Sequence, residues 1–112
     1  MEIKGSRDGE IFFYSVSGRF DAQTFGQVEE QLKAWLDGGE SRLVGDFTNL
    51  EYISSAGLRV LLKITKNLAE KGGRMALCGL KDHIKQVFEI TGFSKIIPIA
   101  ESQPEAMKVV VS

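Results

Sequence analysis

The chain has 112 residues, 43% of them hydrophobic and 26% charged, with a net charge of −1, one histidine and one cysteine. That is the size of one domain able to bury its own core, and residues 1–112 are taken as a single unit. The charge balance argues against the basic stripe of a nucleic-acid binder and against electrostatic docking on anionic lipid, and a lone cysteine excludes both an internal disulfide and a cysteine-based zinc site.

The N-terminal MEIKGSRDGE is polar and lacks the apolar region of a signal peptide. A first short strand is expected at Glu2 to Lys4, then a turn from Gly5 to Gly9. EIFFYSV, from Glu10 to Val16, is an apolar strand that Ser17–Phe20 carries on to Asp21. From Ala22 to Asp37 the period changes. Phe25, Val28, Leu32, Trp35 and Leu36 recur at three- and four-residue steps, which predicts an amphipathic helix with Asp21 as its cap and Gly38-Gly39 as its stop.

Arg42 to Phe47 is a second buried strand, Ala56 to Lys71 a second helix, and Arg74 to Cys78 a third strand holding the cysteine as a packed thiol. Asp82 to Ile90 is a short helix with Ile84, Val87 and Phe88 on one face. Ile96 to Ile99 is a last strand, and its proline places it at a sheet edge. Ser102-Gln103-Pro104-Glu105 has capping-box spacing with proline in the first turn, which starts a terminal helix running to about Val110. Alternating strands and helices predict an α/β fold with a largely parallel sheet. No apolar stretch approaches the ~20 residues of a membrane span, so the expected compartment is the cytoplasm.

Between the second strand and the second helix lies TNLEYISS. Two adjacent serines stand at a helix N-terminus. One is explained as an N-cap, because a serine hydroxyl accepts a bond from a free amide of the first turn. The second is not required for that. Free amides and the positive end of the helix dipole also favour an added anion, so a phosphorylated serine is the other reading. Within the helix, Leu58, Leu61, Leu62, Leu68 and Ala69 define a core stripe. Val60 points away from it between Arg59 and Lys63, and Ile64 sits on its margin. Val60 is then either an ordinary exposed valine or the centre of a small docking face.

GRFDAQT at Gly18 to Thr24, DFTNLEYISSAGLRVLL at Asp46 to Leu62 and GGRMALCGL at Gly72 to Leu80 resemble the STAS domain family, and within it the bacterial anti-sigma factor antagonists. The resemblance spans essentially the whole chain. It implies an α/β STAS fold: a mixed, mostly parallel sheet of four to five strands, with about four helices packed mainly on one face. It also implies a switch and not an enzyme. Family members bind an anti-sigma factor that is also a serine kinase, which frees a sigma factor. The kinase phosphorylates a serine before the second helix, and a metal-dependent serine phosphatase resets it. The family's phosphoserine falls on Ser55, with Ser54 as a competing acceptor where many antagonists carry aspartate, and Ala56 where serine or threonine is common. Asp21 matches an acidic position of the partner surface, and Asp46 and Thr48 match the end of the strand leading to the motif. The expected partner surface is Asp21, Ser54, Ala56, Gly57, Arg59, Val60 and Lys63.

Other classes fit less well. The only histidine, His83, falls in the first turn of the third helix, where a solvated role is expected. GxSxG, P-loop, GxGxxG and glutamate–histidine metal motifs are absent. A phospho-aspartate receiver needs acids after the first strand, where the chain has Lys4-Gly5-Ser6. A STAS scaffold in a stressosome-like or lipid-transport complex is the alternative role. The expectation is a monomer with no obligate cofactor, no metal, no direct nucleic-acid contact and no membrane contact.

Overall fold

A computed structural model describes residues 1–111; Ser112, placed within the single domain above, lies outside the described residues. The element order is β1 (Glu2–Asp8), β2 (Ile11–Phe20), α1 (Phe25–Asp37), β3 (Arg42–Asp46), β4 (Leu50–Ile53), α2 (Ser55–Glu70), β5 (Arg74–Cys78), α3 (Asp82–Ile90), a 3₁₀ turn (Phe93–Lys95), β6 (Ile99–Ala100) and α4 (Gln103–Val111). The described strands form one sheet in the order β1-β2-β3-β5-β6, with β4 paired to β2. Only β1 is antiparallel to its neighbour. The expected mixed, mostly parallel α/β architecture is borne out, with six strands in place of four to five.

β2 is the spine of the sheet. Residues Phe12–Ser15 pair with β3, and Gly18–Phe20 pair with β4, the register shifting between Gly18 and Arg19. Gly18 has φ +91°, a conformation that side chains resist, so glycine lets one strand serve two partners. The sequence pattern predicts loop where β4 lies. Its four residues bury only Leu50 and Ile53 and expose Glu51 and Tyr52, too short a signal to separate from a turn.

β1 also differs from expectation. It runs on through Gly5 to Asp8, pairing residue by residue with Ile11–Ser17, and the turn narrows to Gly9-Glu10. Its charged outer residues disguise it, as suits an edge strand. The Ile96–Ile99 strand shifts to Ile99–Ala100, because the preceding residues form the 3₁₀ turn and its exit. Pro98 contributes only its carbonyl, which accepts from the Leu77 amide at 2.9 Å. β6 is an edge strand, as the proline suggested.

The main core lies between the sheet and α1, α2 and α3; Phe20, Leu32, Leu43, Phe47, Leu61, Ile64, Leu77 and Phe88 are fully enclosed there. A smaller layer on the opposite face packs Ala106 and Val110 of α4 on Ile11, Val44, Ala76 and Cys78. Three helices on one face and one on the other agrees with helices packed mainly on one side. The Cys78 thiol is buried, and burial together with the nearby Asp46 carboxylate pushes its pKa up, as expected of a packed thiol. Ser102 Oγ accepts from the Glu105 amide at 3.3 Å, so half of the capping box forms.

Two details of the helices require correction. Val60 does not point away from the core: it is 4% exposed, and Ile64 is fully buried, while Leu62 is half-buried and Ala69 exposed. α2 packs against α1 as well as against the sheet, so its buried stripe is broader and turned toward Val60 and Ile64. The first helix starts at Phe25, not Ala22, and its N-cap is Thr24, not Asp21. Asp21 organises the turn before it: its Oδ1 accepts from the Gln23 amide at 3.0 Å, and Thr24 Oγ1 accepts from the Asp21 amide at 2.9 Å.

Tyr14 sits in the middle of the main core, 2% exposed, with its hydroxyl donating to Met75 Sδ at 3.0 Å. Burial raises its pKa far above the ordinary value, and the neighbouring Cys78 adds to this. The native phenol therefore keeps its proton at alkaline pH, whereas an unfolded tyrosine loses it near pH ~10. Stability from this group is complete below that pH and falls above it, by about 1.4 kcal/mol per pH unit. Urea midpoints of wild type and Tyr14→Phe should run parallel below pH ~9, and the wild type should lose more above pH ~10. Parallel curves throughout would show that Tyr14 ionises in the native state.

Candidate functional site

β2, β3 and β4 are parallel, so their C-terminal ends, Phe20, Asp46 and Ile53, lie along one edge of the sheet. α2 starts at this edge. Ser54 is its N-cap, in extended conformation (φ −94°, ψ 174°). The Ser54 amide donates to the Phe20 carbonyl at 2.9 Å, its carbonyl accepts from the Leu58 amide at 3.0 Å, and its Oγ accepts from the Gly57 amide at 3.3 Å. Ser54 is thus half-buried and fully employed in starting the helix. Ser55 is the first helical residue and is exposed, and among the described residues its hydroxyl has no hydrogen-bond partner.

Gly57 explains how the helix comes so close. A Cβ there would lie 2.9 Å from Ile53 Cγ1, 2.9 Å from the Phe20 carbonyl oxygen and 3.0 Å from the Phe20 ring. Gly57 is accordingly buried, a seat for α2 and not an exposed part of a partner surface. Phe20 is followed directly by Asp21, so the β2–α1 loop and the start of α2 share this edge. A hydrogen bond from the Gln23 amide holds the Asp21 carboxyl below the usual carboxylate range, aided by Thr24 and Arg19, and keeps it ionised.

Alongside, α1 and α2 enclose an open groove of about 380 Å³. Ala22, Phe25, Ala56 and Val60 make its apolar lining, and Glu29, Arg59 and Lys63 its charged rim. Phe25 remains 38% exposed there. Val60 contributes to the floor of this groove rather than projecting from the surface. Lys63 Nζ lies 2.9 Å from Glu29 Oε2, and Lys33 lies 3.5 Å from the same oxygen. The Lys63 bond, more than the neighbouring charges, lowers the Glu29 pKa, and Glu29 raises that of Lys63 in turn. Arg59 is exposed and has no acid or acceptor partner among the described residues.

On the other side of Asp21, the Arg19 guanidinium lies 4.3 Å from the centre of the Tyr52 ring and its Nε 3.5 Å from Asp21 Oδ2. Tyr52 is 40% exposed. Sequence reasoning missed Arg19, Tyr52, Phe25, Ala22 and Glu29. Recognising Leu50–Ile53 as a strand paired with Gly18–Phe20 is the signal that places Arg19 beside Tyr52. Asp46 and Thr48 form a turn of their own: Asp46 Oδ1 accepts from the Thr48 amide at 3.0 Å and hydroxyl at 2.6 Å. His83 is exposed, with Nε2 2.9 Å from the Glu51 carbonyl, so it ties α3 to β4. Among the described residues, no helix is long and apolar enough to cross a membrane.

Fold and edge together define a small α/β domain that offers a helix N-terminus, a free serine and an adjoining groove. The chain belongs to the STAS domain family, whose model matches residues 3–106, and the resemblance carried by the three quoted motifs is borne out. The chain is 35% identical over 105 residues to the anti-sigma-B factor antagonist of Listeria monocytogenes, covering 94% of this chain and 91% of that protein. It is 50% identical over 80 residues to BtrV of Bordetella bronchiseptica, named a candidate anti-sigma factor antagonist, covering 71% of this chain and 69% of that one. In fold it matches the crystal structure of an anti-sigma factor antagonist from Mycobacterium paratuberculosis, with TM-score 0.88, 22% identity, and 99% and 96% of the two chains covered.

The two serines should separate on substitution. Ser54→Ala removes the cap and should cost about 1 kcal/mol of unfolding free energy. Ser55→Ala removes an unbonded hydroxyl and should stay within about 0.5 kcal/mol of wild type. Urea denaturation reads both, and equal losses would mean that the cap is not formed by Ser54 alone.

Proposed function

We propose that this chain is an anti-sigma factor antagonist that acts by binding and not by turnover. In this reading it works as a monomer in the cytoplasm. It docks on a serine-kinase anti-sigma factor through Asp21, Ser54, Ala56, Arg59, Val60 and Lys63 around the α2 N-terminus, and so frees a sigma factor. Gly57 supports that surface from beneath. The kinase switches the antagonist off at Ser55, and a metal-dependent serine phosphatase restores it. In the transfer, Ser55 Oγ forms a bond to the γ-phosphorus of ATP as the bond to ADP breaks, and the hydroxyl proton passes to a base of the kinase.

The observation that carries this reading is the division of labour between the serines. Ser54 is committed to the helix cap, while Ser55 is exposed and unbonded at the positive end of α2. The names of the relatives support the class of function. The energetics are attainable. A hundredfold loss of affinity requires about 2.7 kcal/mol, within the reach of a phosphate of about −1.5 to −2 charges forced into an interface or set near the Asp21 carboxylate.

Incubation with ATP and the serine-kinase anti-sigma factors of the same genome, followed by intact mass and peptide mapping, tests the reading. One phosphate, lost in Ser55→Ala and kept in Ser54→Ala, is the expected result. A phosphate that follows Ser54 would move the site, and none with any kinase that binds the protein would leave a constitutive binding module.

A further inference from the structure

We propose that Arg59 is a positioning residue that clamps the phosphate of Ser55 within the chain itself, so that modification changes the docking surface twice. The inference rests on the reading of Ser55 as the modified residue and adds to it the fate of the group once attached. Ser55 and Arg59 are four residues apart in α2, and both are exposed. Positions i and i+4 lie on one helix face with Cβ atoms about 5–6 Å apart. The order is the favourable one, anion toward the N-terminus and cation one turn later.

Arg59 is also available for the role. Lys63 and Lys33 are both engaged by Glu29, whereas Arg59 has no partner among the described residues although it borders the same groove. A guanidinium stays charged at every relevant pH and presents parallel donors that match phosphate oxygens. The remaining charged groups around this edge are Asp21, which opposes a second anion, Arg19, which is held against Asp21 and the Tyr52 ring, Asp46, which is bonded to Thr48, and Glu29, which is already ion-paired. The result is a double change. A dianion appears at the α2 N-terminus, and the only unpaired cation among the described groove residues is withdrawn from a partner. A carboxylate at position 55 is shorter and carries one charge, so it reproduces the first change in part and the second poorly.

The full-length protein carrying phosphoserine at position 55, assembled by chemical ligation, provides the test without any kinase. Titration by ³¹P NMR reads the second ionisation of the phosphate. The wild type should ionise below the ~6 of an unconstrained phosphoserine. Arg59→Ala should raise that value by about half a unit, and Arg59→Lys should keep part of the shift as a point charge without the fork. Lys63→Ala should leave it unmoved, and the Arg59 Nε–H resonance should shift on phosphorylation. Identical titrations for wild type and Arg59→Ala would overturn the clamp, as would an equal rise in Lys63→Ala, which would indicate a diffuse field instead. Because the phosphate is installed by synthesis, a kinase that ignores Ser55 sinks the proposed function and leaves this result standing. An unmoved titration sinks the clamp and leaves the function standing.

Discussion

The Phe20 carbonyl is the point on which the site's geometry depends. It accepts the Ser54 amide at 2.9 Å, and it lies 2.9 Å from where a Cβ on residue 57 would fall. One atom thus fixes both where β4 ends and how deeply α2 is seated. Buried backbone acceptors need partners, so the strand cannot shift along β2 without losing this bond. Nor can the helix retreat without opening a gap over Phe20 and Ile53, whose packing closes the core at this corner. The exposure of Ser55 and the width of the α1–α2 groove follow from that seating. The carbonyl reaches its position only because β2 changes partner past Gly18, from β3 to β4.

Much of this was legible in the sequence where a long periodic segment faced a single layer. Arg74–Cys78 and Asp82–Ile90 fall where the apolar spacing puts them, and the doubled glycines end their helices. What escaped was decided by two neighbours at once. The largest apolar residues of α2 suggest one stripe, which leaves Val60 outside it. The real face is wider, since α1 covers the flank that holds Val60 and Ile64. β4 escaped because its pairing partner is the far end of a strand already paired elsewhere, a non-local fact that four residues cannot encode. Residue type alone makes Asp21 a helix cap. The turn formed by Gln23 and Thr24 intervenes and moves the helix start by three residues.

The candidate site was legible in its centre and not at its edges. A serine pair before an apolar helix announces a cap, and the motif announces a family, but neither says which hydroxyl is spent. The backbone decides. Ser54 has the extended conformation and the bond to the Gly57 amide that define a cap, which leaves Ser55 unconstrained. Compared with the aspartate that the motif resemblance implies for many antagonists, serine at position 54 keeps the capping oxygen without a negative charge beside residue 55. On that comparison the local fold is kept and the electrostatics differ, so what a partner would meet differs in charge and not in shape.

A switch at this position has little room to act by refolding. Ser55 is exposed with an unbonded hydroxyl among the described residues, and Phe20, Ile53 and Leu58 are buried in the core at the helix start whatever stands on that hydroxyl. An anion at a helix N-terminus is mildly stabilising to the helix that carries it. On the proposed reading, phosphorylation then leaves the free protein intact or slightly firmer, and the whole cost of the modified form falls on the complex. A partner can register the change only through what it must desolvate at this edge. An exposed ion pair formed with Arg59 contributes little to the free protein, yet it must be broken or buried when the groove is covered. The small energy of the pair in solution and its larger effect in an interface come from the same charges, distinguished only by access to water.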